Sequence, residues 1–500
     1  MAKRHVPYQL AKFHLPAHRD YVVAEVKYEM PVGVDRGRFV GKERGEEPAK
    51  GLNDIISKFD VRDVSFHFRL KPNVVRECLA LAATLREAAK AASILRKIKA
   101  APGAKLDAPR FFQSNFVQVV PKRGEDAKKL AAALRGHPAI WGAHVAPLPV
   151  PPLYLQPPAV AAASSSNLEP TQGYLYSPPC GIGAMDVWKA ADATGKGVTI
   201  CDIEGGWNLT HEDLPKGIKV IGGTPLSEPD WVDHGTAVLG EMVSLPNAFG
   251  TVGISHGAKA VVQSAFVDDL YNPAAAIDNA ATKLAAGDVI LIELHSELHK
   301  DQGDYVAMQY YAQIFTAIRT AVEKGIVVVE AAGNGNQDFN APDFADTGLQ
   351  KDCGAIVVGA GVPPTNCVDF NGFGPGLPAY GSLGVPRSRI FFSNYGNIVN
   401  LQGWGWHVTT TGYGDAQAVG PNRRYTLRFS GTSSASPIVT GAVACLQEVA
   451  RRKRGQPLTP AEMRRILIRT GTPQENGPGV PAATNQIGPQ PNLAAAIGAV

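Results

Sequence analysis

Runs of consecutive apolar residues recur through the later part of the chain, in GVTICDI (197–203), DVILIEL (288–294), GIVVVEAAG (325–333) and AIVVGA (355–360). Each run is continuous rather than alternating, which predicts strands buried on both faces, the pattern of a parallel sheet covered by helices. In FSGTSSASPIVTGAVACLQEVA (429–450), Ile438, Ala442, Leu446 and Val449 recur at helical spacing and predict an amphipathic helix entered through a turn of small residues. Pro437 is read as part of its first turn, where amides lack intrahelical partners. The first 147 residues follow another pattern. Segments 21–30 and 64–70 alternate as strands, 74–100 reads as a long helix, and strand 111–120, helix 124–138 and strand 139–147 form a βαβ unit. Between the two patterns, 148–175 is rich in Pro, Ala and Ser and carries Glu169 as its single charge, predicting an extended linker. The expected division is therefore 1–147, 148–175 and 176–500.

Composition narrows the class. A chain of 500 residues with 45% hydrophobic and 19% charged content is globular and large enough for more than one core. Six cysteines are too few for a disulfide-built scaffold at this length. No run approaches the roughly 18 apolar residues of a membrane span. The N-terminal MAKRHVPYQLAKFHLPAHRD lacks the apolar core of a secretory signal, so the expected location is the cytoplasm or a non-classical export route. Net charge is +12 over 1–150 and −8 over 151–500. That asymmetry suits two domains that dock on each other; a nucleic-acid-binding arm or solvated helix faces would give it too. No nucleic-acid partner is expected.

Three segments carry complementary chemistry. Ser433 stands at the predicted start of the helix in GTSSASP, where the positive end of the helix dipole stabilises developing negative charge. His234 opens a helix in DHGTAVLGE, and Asp202 ends a buried strand in VTICDIEGGW. A serine hydroxyl needs an imidazole to take its proton, and the imidazole needs a carboxylate to fix its tautomer, so these side-chain types belong together. Taken alone, each has a structural reading as an N-cap, a core histidine or a strand-end acid.

DIEGG with HEDL downstream, HGTAVLGE, GTSSASP and VVVEAAGNGN, in that order, resemble the signatures of subtilisin-like serine proteases over roughly 175–495. The resemblance implies a three-layer α/β catalytic domain with a parallel sheet, preceded by a smaller α/β prodomain, and serine endopeptidase activity on proteins or peptides. It implies Ser433 as nucleophile, His234 as base and acid, Asp202 as its orienting carboxylate and Asn334 as oxyanion donor, with Ser434 and Ser436 as bystanders. The acidic sedolisin relatives share the serine motif, but HGT and AAGN fit the neutral-to-alkaline type. The sequence departs from the pattern where IEGGW makes the segment after Asp202 longer than usual. It departs again at LQGWGW (401–406) and IELHSE.

Further expectations follow from the resemblance. Residues 111–147 look like the end of a propeptide that chaperones folding and then inhibits, cut from the enzyme within 148–178. The first hundred residues are long for a propeptide, which leaves a targeting or partner-binding domain as the alternative. Glu293 and Glu330 fall in the two strands that wall the primary specificity pocket and would favour a basic substrate residue. Alternatively they point into the helix-covered face. Asp213 and Asn247 fall where the family supplies oxygen ligands to structural calcium, or else cap a turn and line a loop. No cofactor is expected for the chemistry. Cys201 and Cys445 read as buried apolar residues, whereas Cys353 and Cys367 could pair in an oxidising compartment. A catalytically idle scaffold is the competing function.

Overall fold

The alternating N-terminal segments build a small antiparallel sheet. The computed structural model describes residues 20–27, 32–35, 38–41, 46–66, 116–122, 126–150, 164–267, 270–298, 303–364, 367–368 and 384–500. The helix expected over 74–100 and residues 151–163 of the expected linker lie outside these residues. Strands β1 (Val22–Val26), β2 (Val61–Phe66), β3 (Phe116–Pro121) and β4 (Ile140–Val145) form a sheet of order β2-β3-β1-β4, with helices α1 (Glu46–Ile56) and α2 (Ala127–Arg135). The expected βαβ unit is β3-α2-β4, but β1 lies between its two strands and pairs antiparallel to both. Strand alternation divides the side chains between two partners. Val22, Ala24 and Val26 pack on Leu52, Leu130 and Leu134 of the unit's own helices. Tyr21, Val23, Phe116 and Val120 enter a core that also contains Tyr271 and Phe315 of the larger unit. There the Tyr21 hydroxyl donates to the Tyr271 carbonyl at 3.0 Å.

The continuous apolar runs become strands of a seven-stranded parallel sheet. Its strands are β5 (Thr199–Glu204), β6 (Lys219–Gly222), β7 (Lys259–Ser264), β8 (Val289–Ile292), β9 (Val327–Ala331), β10 (Ile356–Gly361) and β11 (Val399–Trp404), in order β11-β10-β9-β8-β5-β7-β6. Helices α3 (Pro229–Val243), α4 (Pro273–Lys283) and α5 (Ala312–Glu323) follow β6, β7 and β8. Strand β12 (Arg424–Phe429) leads into α6 (Thr432–Arg454), and α7 (Pro460–Thr470) follows. On one face Ile200, Leu291 and Val329 pack against Val238 and Leu239 of α3 and Ile438 and Leu446 of α6. On the other Cys201, Ile290 and Val328 pack against Ile277 of α4 and Ile318 of α5. The result is three layers. The chain builds β6 and β7 on one side of β5 and then β8 to β11 on the other, so the switch point lies between the carboxyl ends of β5 and β8, where α/β sheets place their ligands.

Three expectations change here. Helix α6 is buried on all sides from Thr432 to Ala450, save Ser433, rather than amphipathic, because Leu458, Met463 and Leu467 cover its outer side. Pro437 sits in its second turn, not its first, and so leaves the Ser433 carbonyl without its intrahelical donor. The packed unit also begins earlier than 176. Thr171, Gln172, Tyr174 and Leu175 are fully buried, and the Gln172 side chain pairs with both backbone groups of Val252 at 2.8 and 2.9 Å.

The cysteine pairing differs as well. Cys367 is bonded to Cys180, not Cys353, with Cα atoms 5.8 Å apart. Cys353 is a buried thiol that donates to Gln309 Oε1 at 3.2 Å, on the side of the sheet covered by α4 and α5. No helix among the described residues is long and apolar enough to cross a membrane.

Candidate active site

Glu204 is the last residue of β5, and Glu293 immediately follows β8, so two carboxyl groups flank the switch point. Helix α3 docks closely over this edge. Gly235 lies where any side chain would collide with the Gly206 carbonyl, and Asn208 N–H donates to Thr236 Oγ1 at 2.8 Å. The docking brings His234 Nδ1 to 2.6 Å from Glu204 Oε2, with both side chains buried. Phe429 packs on the imidazole in a T-shaped contact at 5.4 Å, and Glu204 Oε1 accepts the Gly205 N–H at 3.2 Å.

The carboxylate on His234 is therefore Glu204 and not Asp202. Residues 202 and 204 share one face of β5, since side chains alternate along a strand, and α3 crosses at the height of the latter. Asp202 lies deeper, where its Oδ2 accepts the Trp207 indole N–H at 2.7 Å and its Oδ1 is buried without a partner. Burial and the neighbouring Glu204 push the Asp202 carboxyl well above its usual range, against the lowering effect of the indole. The signal for Glu204 was present in the sequence: counting from it removes two residues from the overlong segment before HEDL.

At the start of α6, Gly431 takes a left-handed φ of +101°, a conformation open to glycine, and turns the chain into the helix. Ser434 donates to the Trp404 carbonyl at 2.8 Å, and Ser436 donates to the Thr432 carbonyl at 2.7 Å. Ser433 alone of the three is half-exposed. Asn334, after β9, has its Oδ1 occupied by Thr432 N at 2.9 Å and Thr432 Oγ1 at 3.1 Å, which fixes its amide and leaves Nδ2 as the outward donor. No hydrogen bond links Ser433 to His234 here; such contacts commonly form when substrate arrives.

The two acids expected to wall one pocket do not share it. Glu330 pairs in register with Ile292, one residue before Glu293, so the two side chains leave opposite faces of the sheet. Glu330 is buried beside α5 and accepts the Gln309 N–H at 2.8 Å; burial raises its pKa to about 8, against lowering by the Gln309 and Met308 amides. Glu293 lies on the α6 face, 3% exposed, with Oε1 on the Ser436 hydroxyl. It does not form an open anionic wall. Burial raises its pKa well above the usual range, while the Ser436 and Ser433 hydroxyls lower it.

Asp213 and Asn247 meet, but not as cation ligands. Asn247 turns its amide N–H onto Asp213 Oδ1 at 2.7 Å, and Thr251 donates to Oδ2 through its backbone at 2.7 Å and its hydroxyl at 3.1 Å. Protein donors thus occupy both carboxylate oxygens, which does not fit calcium. Among the described residues no group of three or more His, Cys, Asp or Glu is arranged to hold a metal.

A carboxylate on an imidazole, a half-exposed hydroxyl at a helix start and an amide donor fixed beside that start supply proton transfer, nucleophile and anion stabilisation. Comparison with known proteins gives the following likenesses. The model of the Subtilase family matches residues 195–488. An intracellular serine protease of Paenibacillus polymyxa is 24% identical over 313 residues, which are 59% of this chain and 80% of that protein. An extracellular basic protease of Dichelobacter nodosus is 27% identical over 61% of this chain and 51% of its own length. A calcium-dependent protease of Trichormus variabilis is 28% identical over 52% of this chain and 39% of its own. Among solved structures, proteases from Pseudoalteromonas arctica align over 68% of this chain and 99% of theirs, with 20% identity and a TM-score of 0.47.

Proposed function

The chain belongs to the subtilase family and is a serine-type peptidase, and from that premise we propose that it is an endopeptidase working through an acyl-enzyme on Ser433. His234 takes the Ser433 proton as Oγ attacks the scissile carbonyl, and Glu204 stabilises the imidazolium that forms. The oxyanion is met by Asn334 Nδ2 and the Ser433 N–H at the start of α6. His234 then returns the proton to the leaving amine, and a water molecule repeats the sequence to release the acyl group. The observation that carries this reading is the 2.6 Å contact between His234 and Glu204 at the switch point. Ser433→Ala should abolish hydrolysis of a protein substrate; retention of more than a hundredth of the parent rate would refute the assignment.

In the same reading the N-terminal unit is an intramolecular inhibitor, removed by self-cleavage. Its support is the apolar face of Tyr21, Val23, Phe116 and Val120 on the larger unit, together with the opposite net charges of the two parts. Because 164–175 is packed into the catalytic unit, the cut is expected before Ser164. The Cys180–Cys367 bond favours an oxidising compartment.

A further inference from the structure

Four buried carboxyl groups gather between β5, β8, α3 and α6, and the chemistry above uses only one of them. From β5 come Asp202 and Glu204, from α3 Glu241, and from the end of β8 Glu293. Facing them are His234 on α3 and the hydroxyls of Ser433 and Ser436 on α6; His295, just past β8, is a second imidazole near His234. The charged groups acting on Glu293 are themselves acids, Glu204 and Asp202, while Glu293 acts in turn on Glu241.

Hydrogen counting favours a protonated Glu293. The Ser436 hydroxyl has one proton, and at 2.7 Å it is directed at the Thr432 carbonyl, which cannot donate. The same Ser436 oxygen touches Glu293 Oε1. Both contacts are hydrogen bonds when Glu293 carries a proton and donates it to Ser436 Oγ. The other oxygen, Oε2, is buried without a hydrogen-bond partner, and the second hydroxyl acting on this carboxyl is that of Ser433.

We infer that Glu293 is a positioning residue for the nucleophile: an uncharged carboxylic acid that donates to Ser436 and so holds the start of α6, on which Ser433 stands. This rests on the reading of Ser433 as nucleophile. A neutral acid is a weak proton acceptor and leaves the Ser433 proton to His234. A carboxylate in its place would compete with the imidazole and set a second negative charge beside the site where the oxyanion develops. Activity should therefore fall as Glu293 ionises, on the alkaline limb of the pH profile. Burial and the acidic neighbours place that ionisation far above the ordinary carboxyl range.

The test is the pH dependence of kcat/KM on a peptide amide, for processed parent enzyme and Glu293→Gln, with fluorophosphonate labelling of Ser433 followed in parallel. The expected result is an alkaline fall in the parent that vanishes in Glu293→Gln, with the acid limb unmoved. Glu293→Ala should lower kcat at least tenfold with KM within about twofold. If Glu293→Gln does not fold, Glu293→Asp serves, because its shorter carboxyl cannot reach Ser436 and should displace the alkaline limb alone. An alkaline limb that is absent from the parent, or that stays in place in the folded variant while Ser433 still labels, overturns the role of Glu293. Failure of Ser433 to label in the parent overturns the underlying assignment instead.

Discussion

Glu204→Gln separates the two carboxyl groups of β5 most cleanly. The substitution keeps the shape and an acceptor oxygen beside His234 but removes the charge that stabilises the imidazolium. With the contact at 2.6 Å and charge centres about 4 Å apart, an effective dielectric of about 20 gives about 4 kcal/mol. At about 1.36 kcal/mol per decade, that corresponds to a loss of about 1,000-fold in kcat. KM should change little, because the charge matters once His234 holds the proton. Asp202→Asn is the control. Asp202 bonds Trp207 rather than His234, so its loss should cost less than about tenfold in kcat, with any larger effect falling on thermal stability. Steady-state kinetics on a peptide amide, for variants with matched circular dichroism, decide between them. A loss of about 1,000-fold in Asp202→Asn with near-parental activity in Glu204→Gln would refute the reasoning.

Other expectations follow from particular residues. Opening the Cys180–Cys367 bond by Cys180→Ser should lower stability by up to about 5 kcal/mol, given the 187-residue separation; a thermal midpoint unchanged from the non-reduced parent would contradict it. Glu330, with a folded pKa of about 8 against an ordinary 4.5, keeps a proton that the unfolded chain releases. Parent stability should therefore fall by about 1.4 kcal/mol per pH unit between those values, and denaturant titrations of Glu330→Gln should lack that slope. Ser433→Ala should accumulate at full length on gels, and added 1–150 fragment should inhibit mature enzyme at low salt and release it as screening rises. Normal processing of Ser433→Ala in isolation, or inhibition indifferent to salt, would count against the intramolecular inhibitor.

The parallel sheet was legible because its strands are buried on both faces and so cannot alternate polar with apolar residues. The places of Ser433 at a helix start and of Asn334 in a turn after a strand were legible because each is tied to a local pattern, whereas His234 stands in the second turn of α3 and does not open it as expected. Choosing between Asp202 and Glu204 required the height at which α3 crosses β5. The opposite directions of Glu293 and Glu330 depend on a one-residue register between β8 and β9 that no local pattern records. The partner of Cys367 depends on residues distant in sequence, which cysteine spacing does not specify. Burial of Leu168 and of residues 171–175 hid behind a Pro- and Ser-rich composition, although Leu168, Tyr174 and Leu175 are core residues.

The central claim, that Ser433 is a nucleophile activated by His234, meets its most direct test in a fluorophosphonate adduct mapped by mass spectrometry. Processed, folded enzyme is expected to carry a single adduct on Ser433, absent from Ser433→Ala and formed at least a hundredfold more slowly in His234→Ala. An adduct on Ser434 or Ser436, or none on Ser433 in enzyme that hydrolyses peptides, would contradict it.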